Sequence, residues 1–181
     1  MKHTRIAPVE PPYAEEIAEQ LTRMMPPGLE PIKLFRTVAH NPRLLQKMWA
    51  SNLLDKGSIT LRERELVILR TCARCGAEYE WGVHVAYFGQ RAQLTDEEAA
   101  ATVHGSPASS VWSESESLLI GLVDELHETN RVSDGLWDAA AAYWCPDQLL
   151  EIIMLIGLYH TVSFLINGVQ IEPEEFAPCF P

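Results

Sequence analysis

Positive charge is scarce in this sequence: 14 Lys and Arg stand against 25 Asp and Glu over 181 residues, a formal net charge of −11. A surface field of that sign repels phosphate backbones and anionic lipid headgroups, so neither nucleic acid nor a membrane is an expected partner. Cysteine is sparse too, with four in the chain. The N-terminal run Met1-Lys2-His3-Thr4-Arg5-Ile6-Ala7-Pro8 contains no apolar stretch of the kind a secretory signal needs. These absences argue against a disulfide-framed secreted domain and set the expectation of a cytoplasmic protein. The most apolar run, Ile152 to Ile166, holds His160, Thr161 and Ser163 and is shorter than the roughly 20 residues that cross a bilayer. Strand-type alternation is rare, and no internal repeat or low-complexity tract is present.

What the chain does contain is an ordinary globular balance, 47% hydrophobic and 22% charged, in a length that suits one domain. Residues 1–181 are therefore read as a single unit whose first 30 residues form an extended or partly helical arm. Three Ser/Thr-x-x-Glu boxes mark helix starts: Thr60 with Glu63, Thr95 with Glu98, and Ser113 with Glu116. Residue types favour helix over 14–25, 42–54, 61–74, 78–90, 116–128 and 136–144. Pro146 suits a first helical position and Gly168 a left-handed C-cap, framing one further helix. The fold class expected is all-α. Because 149–165 is apolar on nearly every face, that helix belongs at the centre of a bundle or in a subunit interface.

The chemistry concentrates in Leu61 to Tyr87, which Gly76 divides into two helices. Glu80 and His84 are four apart and share a helix face, so the carboxylate can orient the imidazole or raise its basicity. Surface helices carry the same pair for solubility alone. Glu65 precedes Leu66-Val67-Ile68-Leu69; buried, it needs a partner, while exposed it is one acid in a charged first turn with Arg62, Glu63 and Arg64. Tyr79 and Trp81 flank Glu80 and are candidate walls of a substrate pocket, or simply core. Arg70 and Arg74 are candidate cations for a substrate carboxylate. The loop from Val103 to Val111 is a candidate for shaping that pocket.

Cys72 and Cys75 form a Cys-x-x-Cys pair at one helix end, a possible redox couple against the plainer reading of buried small hydrophobes. With no second close pair of Cys or His, they make only half of a structural zinc set, so no metal and no cofactor is expected. His160, among Leu158, Tyr159 and Val162, reads as a core histidine with its hydrogen bonds satisfied.

Glu65, then Ala77-Glu78-Tyr79-Glu80, then His84, within Arg-Glu-Leu-Val-Ile-Leu-Arg-Thr and Glu-Tyr-Glu-Trp-Gly-Val-His, resembles the carboxymuconolactone decarboxylase and alkylhydroperoxidase D-like superfamily. The resemblance is strongest over residues 60–94, extends to the helix from Pro146 to Gly168, and is weakest in the first forty residues. It implies an all-α fold, a homo-oligomer (trimer or hexamer), and a small-molecule site at Glu65, Glu80 and His84. The peroxidase branch of that superfamily carries redox cysteines where this chain has Ala77 and Glu80, so the resemblance favours the decarboxylase-like branch. The expected activity is cofactor-independent decarboxylation or proton transfer on a small carboxylated lactone or related ring acid. In it His84 is proton donor or base, Glu80 orients it and Glu65 relays protons. The rivals are a thiol peroxidase or disulfide reductase using Cys72 and Cys75, and a non-catalytic oligomeric binding protein.

Overall fold

Each of the three capping boxes starts a helix. The Ser or Thr hydroxyl accepts the N–H of the glutamate three residues on, and that glutamate reaches back to the cap's own N–H. The computed structural model describes residues 4–181, so Met1, Lys2 and His3 of the N-terminal arm lie outside the described residues. Among the described residues the chain is all-α: α1 (Glu15–Met24), α2 (Lys33–Val38), α3 (Pro42–Ala50), α4 (Leu61–Arg74), α5 (Glu78–His84), α6 (Asp96–His104), α7 (Glu114–Thr129), α8 (Asp134–Ala141) and α9 (Pro146–Val169). A single wide π turn, Val85–Gly89, continues α5. Within the arm, α1 supplies the helical part. The break between α4 and α5 falls at Gly76, whose φ of +63° is a left-handed geometry that glycine adopts without a Cβ clash.

The three box glutamates also tie the helix starts together. Glu98 of α6 and Glu116 of α7 both pair with Arg62 in the first turn of α4, while Glu63 accepts the indole N–H of Trp144 at 2.7 Å. One residue type thus caps a helix and fixes its neighbour.

The centre of the bundle is α4; α9, for which composition left the bundle centre or a subunit interface open, is covered on one face only. Leu66, Val67, Ile68, Leu69 and Cys72 of α4 are wholly buried, and α5, α6, α7 and α9 pack around them. Fully burying each such aliphatic side chain contributes about 1.5–3 kcal/mol. Four polar residues of α4, Arg64, Glu65, Arg70 and Thr71, are buried as well, and each has a hydrogen-bond partner. Arg70 makes a two-pronged contact with Asp124 and donates to the carbonyls of Thr102 and Gly105.

Helix α9 buries one face, through Leu149, Ile152, Leu155, Ile156, Tyr159, Val162 and Ile166. Its other face leaves Leu150, Met154, Phe164 and Leu165 exposed. At 24 residues it runs well past the apolar stretch read from the sequence and is long and apolar enough to cross a bilayer, but its buried face packs as a core helix does. Its left-handed cap is Gln170, not Gly168: Gly168 stays helical, and the Gln170 N–H closes onto the Ile166 carbonyl. Helix α3 stops at Ala50, short of the expected Leu54. α8 runs from Asp134 to Ala141 instead of 136–144.

The C-terminal segment locks α5 in place. A Cβ on Gly82 would meet the Pro178 carbonyl oxygen at 2.2 Å, so only glycine lets the tail lie across this helix. The Phe180 N–H donates to Glu78 at 2.9 Å, and its ring packs edge-on against Trp81.

Candidate active site

Glu65, on the second turn of α4, and His84, at the end of α5, meet in the interior. The His84 Nδ1 to Glu65 Oε2 distance is 2.7 Å, and the Glu65 and His84 residues are only 1% and 3% exposed. The second Glu65 oxygen accepts from the Arg64 guanidinium at 3.0 and 2.9 Å, and Arg64 also donates to the Leu54 carbonyl at 2.7 Å. Burial disfavours a charged His84, but the Glu65 and Glu80 carboxylates outweigh it and hold the imidazole at a raised pKa of about 9. His84 is therefore an imidazolium near neutrality and donates from both ring nitrogens. The second bond runs from Nε2 to the Tyr159 hydroxyl oxygen at 3.0 Å, which leaves the Tyr159 O–H free to donate onward.

Glu80 shares the face of His84, as its spacing requires, with Oε1 3.6 Å from Nε2. That is too long for a hydrogen bond. Its Oε2 is buried and has no hydrogen-bond partner among the described residues. A buried carboxylate oxygen left in that state is costly, and such groups call for an explanation in function.

Glu80 and Tyr159 lie on the floor of a cleft of about 680 Å³ walled by Met24, Met25, Phe35, Met48, Trp49 and Phe88, among others. Arg23, Asp55 and Asn52 add polar atoms to its lining. The volume is within the usual range for small-molecule sites. Phe88 sits on the wide turn after α5, its ring 5.2 Å from the His84 ring and 5.2 Å beneath the Arg64 guanidinium. A π turn inside a helix often marks a functional site. This one closes the cleft over the buried charges.

The structure therefore brings Glu65, Glu80 and His84 together and keeps the other sequence candidates away from the cleft. Tyr79 is buried on another side, its hydroxyl donating to Glu174 at 2.7 Å and accepting the Leu34 N–H at 3.0 Å. Trp81 points into the core and donates to the Thr102 hydroxyl at 2.9 Å. Arg70 is spent on Asp124, and Arg74 on Asp124 and Glu128 at the surface. The segment 103–111 does not reach the cleft, whose walls come from the N-terminal helices instead.

Cys72 is wholly buried, and burial, with Glu80 and Cys75 adding to it, pushes its thiol well above the ordinary range. Cys75 is half-buried, and both are free thiols. His160 is half-buried, its Nδ1 bonded to the Ile156 carbonyl at 2.8 Å.

Sequence reasoning missed Arg64, Tyr159 and Phe88 as parts of the site. Arg64 stood beside Glu65 and was counted among the exposed first-turn charges. Tyr159 carried a usable signal: it falls on the α9 stripe with Ile152, Leu155 and Ile156, and a hydroxyl on a buried stripe needs a partner.

Residues 41–115 match the model of the Carboxymuconolactone decarboxylase family. Among solved structures, an uncharacterized peroxidase-related protein from Silicibacter sp. TM1040 superposes with a TM-score of 0.79 at 11% identity, covering 97% of this chain and 95% of that one. An alkylhydroperoxidase AhpD core protein from Ralstonia eutropha JMP134 gives 0.77 at 14% identity, covering 94% and 93%. The debrominase Bmp8, as a variant in complex with 2,3,4-tribromopyrrole, gives 0.72 at 16% identity, covering 96% and 94%. At these identities the likeness establishes a common fold. No curated protein matches the chain.

Proposed function

From its likeness to the carboxymuconolactone decarboxylase and alkylhydroperoxidase D-like superfamily, we propose that this chain is a cofactor-independent acid/base enzyme. Its substrate is a small unsaturated ring acid, of which a carboxylated lactone is the leading case. The observation that carries this reading is Glu80, whose buried Oε2 has no hydrogen-bond partner among the described residues, lining an apolar cleft together with Tyr159.

In decarboxylation the bond between the ring carbon and the carboxylate breaks, carbon dioxide leaves, and the electron pair spreads into the conjugated lactone. Two needs follow: a donor to hold the spreading charge and a proton for the carbanionic carbon. The Tyr159 O–H meets the first. Burial and the nearby carboxylates raise its pKa well above the usual phenol range, so it stays a neutral donor, backed by the His84 imidazolium at 3.0 Å. Solvent in the cleft supplies the proton for the second: the Glu80 carboxylate takes it up at its free oxygen and delivers it to the substrate carbon, returning to the carboxylate. Glu65 is a positioning residue that fixes the His84 ring, and Arg64 fixes Glu65. This reading divides the roles differently from the sequence expectation: the 2.7 Å contact supports Glu65 as the orienting group, and the place of Glu80 in the cleft lining supports it as the proton carrier. Arg23 lines the same cleft and is a suitable cation for a substrate carboxylate.

The test is incubation with carboxymuconolactone and related ring acids in deuterium oxide, following carbon dioxide release and deuterium uptake at the adjacent carbon. Glu80→Gln should lower turnover by about 10²–10⁴-fold, the usual range for loss of a general acid or base. A wild-type protein that neither releases carbon dioxide nor exchanges protons across the panel, yet reduces peroxides through Cys72, overturns the proposal.

The same reading includes a cytoplasmic homo-oligomer, trimer or hexamer. The exposed Leu150, Met154, Phe164 and Leu165 on one side of α9 support the assembly, because large apolar side chains gathered on a helix face are costly to leave in water. Light scattering should give a multiple of the 20.3 kDa chain mass, and Met154→Lys should shift it toward the monomer.

A further inference from the structure

At the far end of α4 from the cleft, Cys75, His127 and His160 converge from three different helices. Cys75 caps the C-terminus of α4, His127 is in the last turn of α7, and His160 is in the middle of α9. His127 Nδ1 is 3.0 Å from His160 Nε2 and 3.9 Å from Cys75 Sγ, and all three donor atoms lie within 4.8 Å of one another. The spacing Cys-x-x-Cys conceals this set, since Cys72 points into the core and the partners of Cys75 come from 52 and 85 residues further along the chain.

We propose that Cys75, His127 and His160 form a divalent transition-metal site of the zinc class, with a fourth position open to water. Zinc bond lengths of about 2.0–2.1 Å to nitrogen and 2.3 Å to sulfur place tetrahedral ligand atoms roughly 3.3 Å apart for two nitrogens and 3.6 Å for nitrogen and sulfur. The two contacts to His127 lie within a few tenths of an ångström of those edges, and Cys75 Sγ and His160 Nε2 are within 4.8 Å of each other. His160 is already fixed for the task. Its Nδ1–H donates to the Ile156 carbonyl at 2.8 Å, which leaves the Nε2 lone pair aimed into the cluster. A ring nitrogen bonded to a backbone carbonyl is the usual way a ligating histidine is oriented.

Cys75 is held at the backbone as well, its carbonyl accepting from Asn167 at 2.8 Å. All three ligands are half-buried, so an ion can reach them from solvent. Binding would displace the Cys75 proton to solvent and form the thiolate bond; no electron is transferred. The ion would pin the ends of α4 and α7 to the middle of α9.

The proposal is independent of the acid/base reading of the cleft. It is tested in full-length, tag-free protein carrying Cys145→Ser and Cys179→Ser to remove the two exposed thiols. Titration with Co²⁺ should give one ion per chain with a thiolate-to-cobalt charge-transfer band, displaced by Zn²⁺. Cys75→Ser should abolish the band. His127→Ala and His160→Ala should each weaken binding by at least about 100-fold, while His104→Ala leaves it unchanged. Zn²⁺ should raise the melting temperature of the parent and not of Cys75→Ser, with circular dichroism checking that each variant is folded. No binding, binding without the charge-transfer band, or binding that survives all three substitutions overturns the site.

Discussion

Helices α4 and α9 each serve two polar clusters, and the two clusters differ in how water reaches them. Near the start of α4, Glu65 meets His84 and Tyr159 where solvent is excluded; at its end, Cys75 meets His127 and His160 where solvent still touches every member. Tyr159 and His160 are consecutive on α9 and so project to different clusters. In the first, desolvation makes each charge depend on its partner, and removing one strands the others. In the second, water can replace a lost partner, so the same number of polar groups contributes little to stability without an ion.

The largest test of that contrast is Glu65→Ala. It leaves the His84 imidazolium and the Arg64 guanidinium buried without their shared carboxylate, and breaking a buried pair in this way costs about 3–5 kcal/mol. Cys75→Ser, in metal-free protein, should cost under about 1 kcal/mol. Urea denaturation of both variants measures the difference; equal costs would dissolve the contrast.

A smaller effect should appear with pH. His84 has a folded pKa raised to about 9 from an ordinary 6.5, with burial opposing and Glu65 and Glu80 favouring the charged form. The folded state then holds the extra proton between those values. The stability from His84 is fully present below about pH 6.5 and is lost as pH rises through about 9. His127 moves the other way, its pKa lowered by burial and by His160, and should contribute no such alkaline loss. Melting temperatures across the neutral-to-alkaline range for wild type, His84→Gln and His127→Gln separate the two: the alkaline decline should vanish only in the first variant.

Smaller still is Tyr159→Phe, which removes the hydroxyl on His84 and nothing else, for a stability cost of about 0.5–1.5 kcal/mol. Its effect on turnover should exceed its effect on folding, because the phenol faces the cleft. A variant as active as wild type would remove Tyr159 from the reaction.

Much of the fold could be read from local chemistry. The three capping boxes are complete within four residues, the ends of α4 follow from Thr60 and Gly76, and the Glu80 to His84 spacing is set by helix geometry alone. The site's remainder depends on contacts between distant segments. Tyr159 meets His84 across 75 positions, and α1 and α2, which precede the matched residues 41–115, help α3 wall the cleft. Composition did not show which helix the others surround. A mostly apolar helix can be half-covered within one chain, as α9 is. A helix dotted with Arg and Glu can be enclosed along its middle when each buried charge finds a partner, as Arg64, Glu65 and Arg70 do. Hydropathy records the cost of burying a charge and is silent on the partner that offsets it.

The smallest expected effect is the most discriminating between acid/base and thiol chemistry. Cys72 is in the same interior as Glu65 and Glu80, and a redox role would require its thiolate, since the thiol is a poor nucleophile. Burial and the neighbouring Glu80 and Cys75 push its pKa up, which keeps it a thiol. A thiol reagent added to the folded protein should therefore react readily with Cys145 and Cys179, more slowly with Cys75, and with Cys72 only on unfolding. Cys72→Ala should keep wild-type turnover of ring acids and lose only the packing of one sulfur atom. The contrast between the two ends of α4 sharpens if Cys75 alone responds to metal and Cys72 responds to neither metal nor oxidant. Rapid modification of Cys72 in the native protein, with loss of turnover to match, would instead make the buried end of α4 a redox centre.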